Sequence, residues 1–294
     1  MEEAVLSSVE KPSNSVFTAL KDEKDHFTAG MNLDKPNDRL QVNSYGGSSI
    51  SRLPSRLHLA AKQKGLGKII CPVREKDWPL FLNAGFTMEA FNEFYFRGRP
   101  GYFMVRYLDC TRQKALKLLE EDAILEKALA SEKTRPGILM KNYNIKSPEP
   151  GDFAAMAGLF KAVFSTYPTP LLNTDYIAEA SGKNTLFKII VDSSNRLVSA
   201  ASAEINHENS CAEITDCATD PRCRGEGLMN ILIEELESSL RTLGIISTFS
   251  IARALSPGIN ITMKKRGYLY GGRLMRNCHI CGQFEDMNMW YKKL

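Results

Sequence analysis

Several features are scarce in this chain, and each scarcity removes a class of protein. No apolar run approaches the roughly 20 residues a membrane-spanning helix needs. The opening MEEAVLSSVEK is acidic and polar, without the basic-then-apolar order of a secretory signal. Seven cysteines, an odd number at irregular spacing, do not make a secreted disulfide framework. Cys278-His-Ile-Cys281 has the spacing of half a zinc site, but no second pair completes it, so no metal is expected. Neither Gly-x-x-x-x-Gly-Lys-Ser/Thr nor Gly-x-Gly-x-x-Gly after a strand is present, which excludes the common nucleotide loops. Basic residues form no long block and the net charge is only +4, so no nucleic-acid partner is expected. What remains is a reduced, cytoplasmic protein with no membrane partner.

A length of 294 residues exceeds one average domain, and 43% hydrophobic with 24% charged residues is ordinary for a globular protein with a large core. Residues 1–35 are polar without sustained periodicity and read as a flexible leader. Residues 36–110 read as a small α/β unit: a strand from Arg39, a helix over 55–64, a buried strand from Lys68, a short helix from Trp78, then strands near 93–96 and 102–108. Residues 111–135, rich in Ala, Leu, Glu and Lys, read as a linker helix with Leu118, Leu125 and Leu129 on one face. Residues 136–294 form a second α/β unit. Its expected elements are a strand over 138–145, helices over 150–164 and 173–180, strands over 186–192, 197–206 and 245–252, a helix after Pro257 and a strand at 287–291. A weak echo links the units, since Leu66-Gly67 through Gly85-Phe86 parallels Leu243-Gly244 through Gly267-Tyr268. The front unit has no counterpart of the loop described next, and is expected to cover one side of the substrate pocket.

The chemistry concentrates in residues 211–243. Arg222-Cys223-Arg224-Gly225-Glu226-Gly227 lies between a strand and a helix whose Leu228, Leu232, Leu236, Leu240 and Leu243 share a stripe. A helix start offers unpaired N–H groups and the positive end of the dipole. Gly225 and Gly227 remove the Cβ atoms that would hold a diphosphate away, and Arg222 and Arg224 add positive charge.

This loop resembles motif A of the GCN5-related N-acetyltransferases (GNAT), Arg/Gln-x-x-Gly-x-Gly/Ala, with Arg222, Gly225 and Gly227 matching position by position. Longer phrases, among them Phe164-Ser-Thr-Tyr-Pro, Ala200-Ala-Ser-Ala-Glu, Ala212-Glu-Ile-Thr-Asp-Cys-Ala-Thr and Tyr268-Leu-Tyr-Gly-Gly, are similar to the β-lysine N6-acetyltransferases, as are Asn37-Asp38-Arg39 and Gly101-Tyr-Phe-Met in front. The resemblance implies a GNAT fold, a mixed and mostly antiparallel sheet flanked by helices, preceded by a smaller GNAT-like α/β domain. It implies acetyl-CoA as cosubstrate, held by the loop from Arg222 to Leu228, by the main chain of Cys217, Ala218 and Thr219, and by Asn260. The substrate it implies is β-lysine, acetylated at the ε-amine to give a compatible solute for osmoadaptation. Lysine, a polyamine or a protein amine, or an acyl-CoA sensor without turnover, are the alternatives. A homodimer is compatible with it.

An alkyl ammonium with a pKa near 10.4 is free base in only about one molecule in a thousand at neutral pH, so a carboxylate of raised pKa must take the proton. Glu213, in the strand before the loop, is the first candidate, and its Ala-Glu-Ile setting resembles the base-bearing strand of histone-type acetyltransferases. Asp216 lies three residues on and in a regular strand would face the other way. The bulge that the family carries in this strand would bring it round to hold the ammonium or replace Glu213 as base. Glu204 is a third acidic candidate, Tyr167 a substrate contact, and Arg253 a partner for the substrate carboxylate. Relatives place a thiolate-protonating tyrosine where this chain has Met263, so the general acid is unassigned.

Overall fold

A computed structural model describes residues 6–10, 15–22, 26–134, 137–167, 170–280 and 282–294. Its front half comprises β1 (Leu6–Glu10), β2 (Ser15–Asp22), β3 (Phe27–Asp34), β4 (Arg39–Gly47), α1 (Leu53–Gln63), β5 (Lys68–Arg74), α2 (Trp78–Asn83), β6 (Thr87–Phe96) and β7 (Arg99–Tyr107). The rest comprises α3 (Leu118–Leu129), β8 (Tyr143–Lys146), α4 (Phe153–Val163), α5 (Thr174–Ser181), β9 (Thr185–Asp192), β10 (Leu197–Asn206), β11 (Cys211–Thr219), α6 (Leu228–Thr242), β12 (Ser247–Arg253), α7 (Pro257–Lys265), β13 (Leu269–Ile280) and β14 (Gln283–Lys293).

All strands join one sheet in the order β1-β2-β3-β4-β5-β7-β6-β13-β14-β12-β11-β10-β9-β8. Among the described strands, only β4·β5 and β11·β12 run parallel. On either side of the β6·β13 contact the order repeats, β6-β7-β5-β4-β3 against β13-β14-β12-β11-β10, with α1 and α6 in equivalent connections. The echo in the sequence is therefore an echo of topology. Each parallel pair matches for three residues, Arg39–Gln41 with Lys68–Ile70 and Cys211–Glu213 with Ser247–Phe249.

Much of the expected leader differs. β3 buries Phe27, Ala29, Met31 and Leu33 on one face, a period of two that packs it against α1. The alternation spans only eight residues and includes the small Ala29 and Gly30, which weakens it against the polar residues before it. The linker helix is shorter than 111–135, and its buried face carries Glu121 and Ala128, whereas Leu118 and Leu129 are exposed. On the buried side Leu125 packs against the core and Arg273 Nη1 lies 3.3 Å from Glu121. Ile138 is exposed too, and the strand there starts only at Tyr143. Cys278 is an ordinary buried strand residue of β13; Cys281 lies outside the described residues.

The halves meet where β13 gives up its own ladder. Between Leu274 and Cys278 its pairing with β14 is interrupted, and its carbonyls turn to the front half. Lys68 Nζ donates to Met275 O at 2.6 Å, Arg112 Nη2 to Arg276 O at 2.6 Å and Arg39 Nη1 to Asn277 O at 3.1 Å. Buried carbonyls need such partners, and here buried cations provide them. At the strand contact a Cβ on Gly272 would stand 2.3 Å from Glu89 O, so only glycine admits the approach.

Candidate active site

The site begins with one extra residue in β11. Against β10, Ser202 pairs with Thr215 and Ala200 with Ala218, so two steps on β10 meet three on β11. Asp216 takes the surplus at φ +52°, a left-handed conformation that a short acidic side chain tolerates. A regular strand would send Glu213 and Asp216 to opposite faces. With the bulge, Glu213, Thr215 and Asp216 all line one cavity of about 710 Å³.

The same strand then parts from its neighbour. β11 matches β12 only as far as Glu213 and Phe249, while β12 follows β14 to Arg253 and β11 follows β10 to Thr219. The main chain of β11 past Glu213 thus faces a cleft rather than a partner strand, a geometry that accepts an extended ligand as an added strand.

Both halves build the cavity. β3 and β4 contribute Asn32, Asp34, Arg39, Gln41 and Asn43; the back half contributes Tyr167, Glu204, Glu213, Asp216, Phe249 and Met287. Burial pushes the Glu213 carboxyl up to about 8, with Glu204 adding to the rise, Arg39 opposing it and Asp216 adding slightly. Burial also raises Asp216, to about 6, held back by hydrogen bonds from Ser202 and Tyr167. Ser202 Oγ donates to Asp216 Oδ2 at 2.6 Å, while Oδ1 has no hydrogen-bond partner among the described residues. Two carboxyl groups of unequal pKa, Glu213 and Asp216, therefore share one cavity.

Beyond β11, Asp220 caps the turn by accepting from Arg222 N at 3.0 Å, and its carboxylate pairs with Arg222 Nη2 at 2.8 Å and Arg196 Nη1 at 3.1 Å. The Arg222 side chain remains 75% exposed. Gly225 and Gly227 sit at φ +87° and +78°, and Gly227 caps the N-terminus of α6. Nothing lies within 4 Å of a Cβ built on either, so the need for glycine is conformational and the space over the loop is open. In the first turn of α6 the amides of Asn230 and Ile231 donate to Gly227 O at 3.0 and 3.4 Å, which leaves those of Leu228 and Met229 without an intrahelical acceptor and available to an anion over the loop. Cys223 and Leu228 anchor the loop by packing into the core beneath it. Arg224 is exposed, and Glu226 accepts from Tyr143 Oη at 2.7 Å. These residues fit a pyrophosphate.

Two sequence candidates stand elsewhere. Asn260 is fully buried; its amide donates to Arg253 O and Ser256 O, and its oxygen accepts from Asn288 and Trp290. All its polar capacity serves the core rather than a ligand arm. Arg253 pairs with Glu285 at 3.2 Å and is not among the cavity residues. The buried cation of the cavity lining is Arg39, which sequence reasoning passed over because its partners, Asp34 and Asn277, lie in different halves. Met263 is fully buried, so its position supplies no proton donor.

Among the described residues no His, Cys, Asp or Glu group is arranged to hold a metal ion, and no helix is long and apolar enough to cross a membrane. Residues 153–258 match the acetyltransferase (GNAT) family model. The chain is similar to the N-acetyltransferase YodP of Bacillus subtilis, 38% identical over 91% of this chain and 96% of that one. It is also similar to the β-lysine N6-acetyltransferase of Methanosarcina mazei, at 34% identity over 80% of this chain and 94% of the relative. A third relative, the β-lysine N6-acetyltransferase of Methanococcus maripaludis, is 30% identical over 87% and 93%. The chain belongs to the acetyltransferase (GNAT) family and is an N-acetyltransferase that uses acetyl-CoA and acts on an amine.

Proposed function

We propose that this enzyme acetylates the ε-amine of β-lysine by direct transfer within a ternary complex. The observation that carries the reading is the pair Glu213 and Asp216, turned by the bulge onto one cavity face beside the open edge of β11. Asp216, held near 6, is mostly ionised at neutral pH and pairs with the incoming ammonium. Glu213, the more elevated carboxyl, takes the proton directly or through water as the amine attacks the thioester carbonyl. The loop from Arg222 to Leu228 holds the pyrophosphate, and main-chain groups of Cys217 to Thr219 receive the extended arm. The departing thiolate is a tolerable leaving group near neutral pH.

The cavity charge supports a substrate with more than one ammonium: Asp34, Glu179, Glu204, Glu208 and Asp216 line it beside Glu213, against Arg39 and Lys183. The two archaeal relatives carry the β-lysine name over most of this chain. Acetylation turns a diamino acid of net charge +1 into a neutral zwitterion, as suits a compatible solute kept in the cytoplasm. The test is thiol release from acetyl-CoA with β-lysine, lysine, spermidine and a lysine peptide, followed by assignment of the acetylated nitrogen. β-Lysine should give the highest kcat/KM, with acetyl on the ε-nitrogen. Thiol release with none of these amines overturns the reading, and a preference for spermidine replaces its substrate.

A further inference from the structure

We propose that Arg39, a residue of the front half, is the anchor for the substrate's carboxylate and so makes the enzyme selective for amino acids over plain diamines. The inference builds on the proposed acetylation of a diamino acid.

Arg39 is held before any ligand arrives. Its Nε donates to Asp34 Oδ2 at 2.8 Å, and its Nη1 donates to Asn277 O at 3.1 Å and to Cys278 Sγ at 3.4 Å. Asp34 is fixed in turn by Asn37, whose Nδ2 reaches both carboxylate oxygens at 2.8 Å, and Asn37 Oδ1 accepts from His279 N at 2.6 Å. Both halves thus clamp one guanidinium. Its third nitrogen, Nη2, has no acceptor among the described residues, although the side chain is only 11% exposed and lines the cavity. A guanidinium nitrogen carrying two unused N–H groups in a restricted space is a carboxylate binder with its ordering cost already met.

The rest of the cavity narrows what that nitrogen can meet. Lys183, the other cation of the lining, is exposed at the rim, so an anion that enters with an amine has Arg39 as its buried partner. Arg39 and Glu213 both line this one chamber, near enough for each to act on the other's charge. A molecule with a carboxylate at one end and an amine at the other spans that chamber; a polyamine would set an ammonium against the guanidinium. Asp34 and Asn37 are positioning residues in this scheme, since they act through Arg39.

The test compares β-lysine with its C1 carboxamide, which keeps both amines and removes the anion. Wild-type enzyme should favour the acid in kcat/KM by about 10- to 100-fold, the range for a hydrogen-bonded charged contact. In Arg39→Gln that acid-over-amide ratio should fall to near one, mostly through KM. Arg39→Lys, which keeps the buried charge but not the fork, should be intermediate and serves if the glutamine variant does not fold. Equal use of acid and amide by the wild type overturns carboxylate anchoring while leaving amine acetylation intact. Equal loss of both substrates in Arg39→Gln and Arg39→Lys also overturns it, reducing Arg39 to a fold contact. If the wild type acetylates neither, the diamino-acid reading falls and this proposal with it.

Discussion

In the mechanism proposed above, Glu213 and Asp216 divide the labour because their surroundings differ. Asp216 receives a hydroxyl from Ser202 that favours its charged form, whereas Glu213 has Glu204 close by and only Arg39 to relieve it. A carboxyl elevated to about 8 is largely protonated at pH 7, so the fraction competent as a base grows as pH rises through that value. The pH profile of kcat/KM should therefore show a break near 8 in the wild type, superimposed on the slower rise from the amine's own titration near 10.4. Glu213→Gln should lose the break and lower kcat by about 100-fold or more, while calorimetry finds acetyl-CoA binding unchanged. Unchanged turnover would move the base to Asp216 or to water. Asp216→Asn should instead raise KM for the amine.

The bulge and the loop after it are the elements on which the proposed chemistry rests, and they were unequally legible. The loop was readable because two glycines between a strand and an amphipathic helix let an anion approach the backbone, and Gly225 and Gly227, both at positive φ, stand there. The bulge leaves no such mark in Ala-Glu-Ile-Thr-Asp-Cys, and only family likeness suggested it. β13 was also opaque, since nothing local in Gly271-Gly272 tells of a strand that β6 approaches too closely for a side chain. Arg253 looked like a free cation at a strand end; its partner Glu285 lies on a distant hairpin that no local pattern reveals. At the loop, Gly227→Ala meets no neighbour but must hold a left-handed backbone, at a cost of roughly 1–2 kcal/mol. The protein should fold, and its KM for acetyl-CoA should rise about tenfold with kcat little changed. An unaltered KM would remove the loop from cosubstrate binding.

On the scale of the whole molecule, the front half is more than a cover. It repeats the strand order of the back half, supplies Asp34 and Arg39 to the cavity, and satisfies the carbonyls of Met275, Arg276 and Asn277 with buried cations. Aromatic contacts cross the same seam, Phe91 and Phe94 each standing 6.1 Å from Tyr291. Stability and substrate selection are therefore coupled through β6 and β13. Gly272→Val tests that coupling, because its side chain would drive into the main chain of Glu89 and Ala90 at a φ of +131°. Neither backbone can yield without opening the seam, so a loss of about 3 kcal/mol is expected. This should lower Tm by roughly 6–12 °C. The amine's KM should rise with it, since Asn277 and Cys278 would no longer hold Arg39, while the KM for acetyl-CoA stays near its original value because the loop lies on the far strands. Unchanged thermal stability would separate the halves energetically. A rise confined to the acetyl-CoA KM would show that the seam supports the cosubstrate site instead.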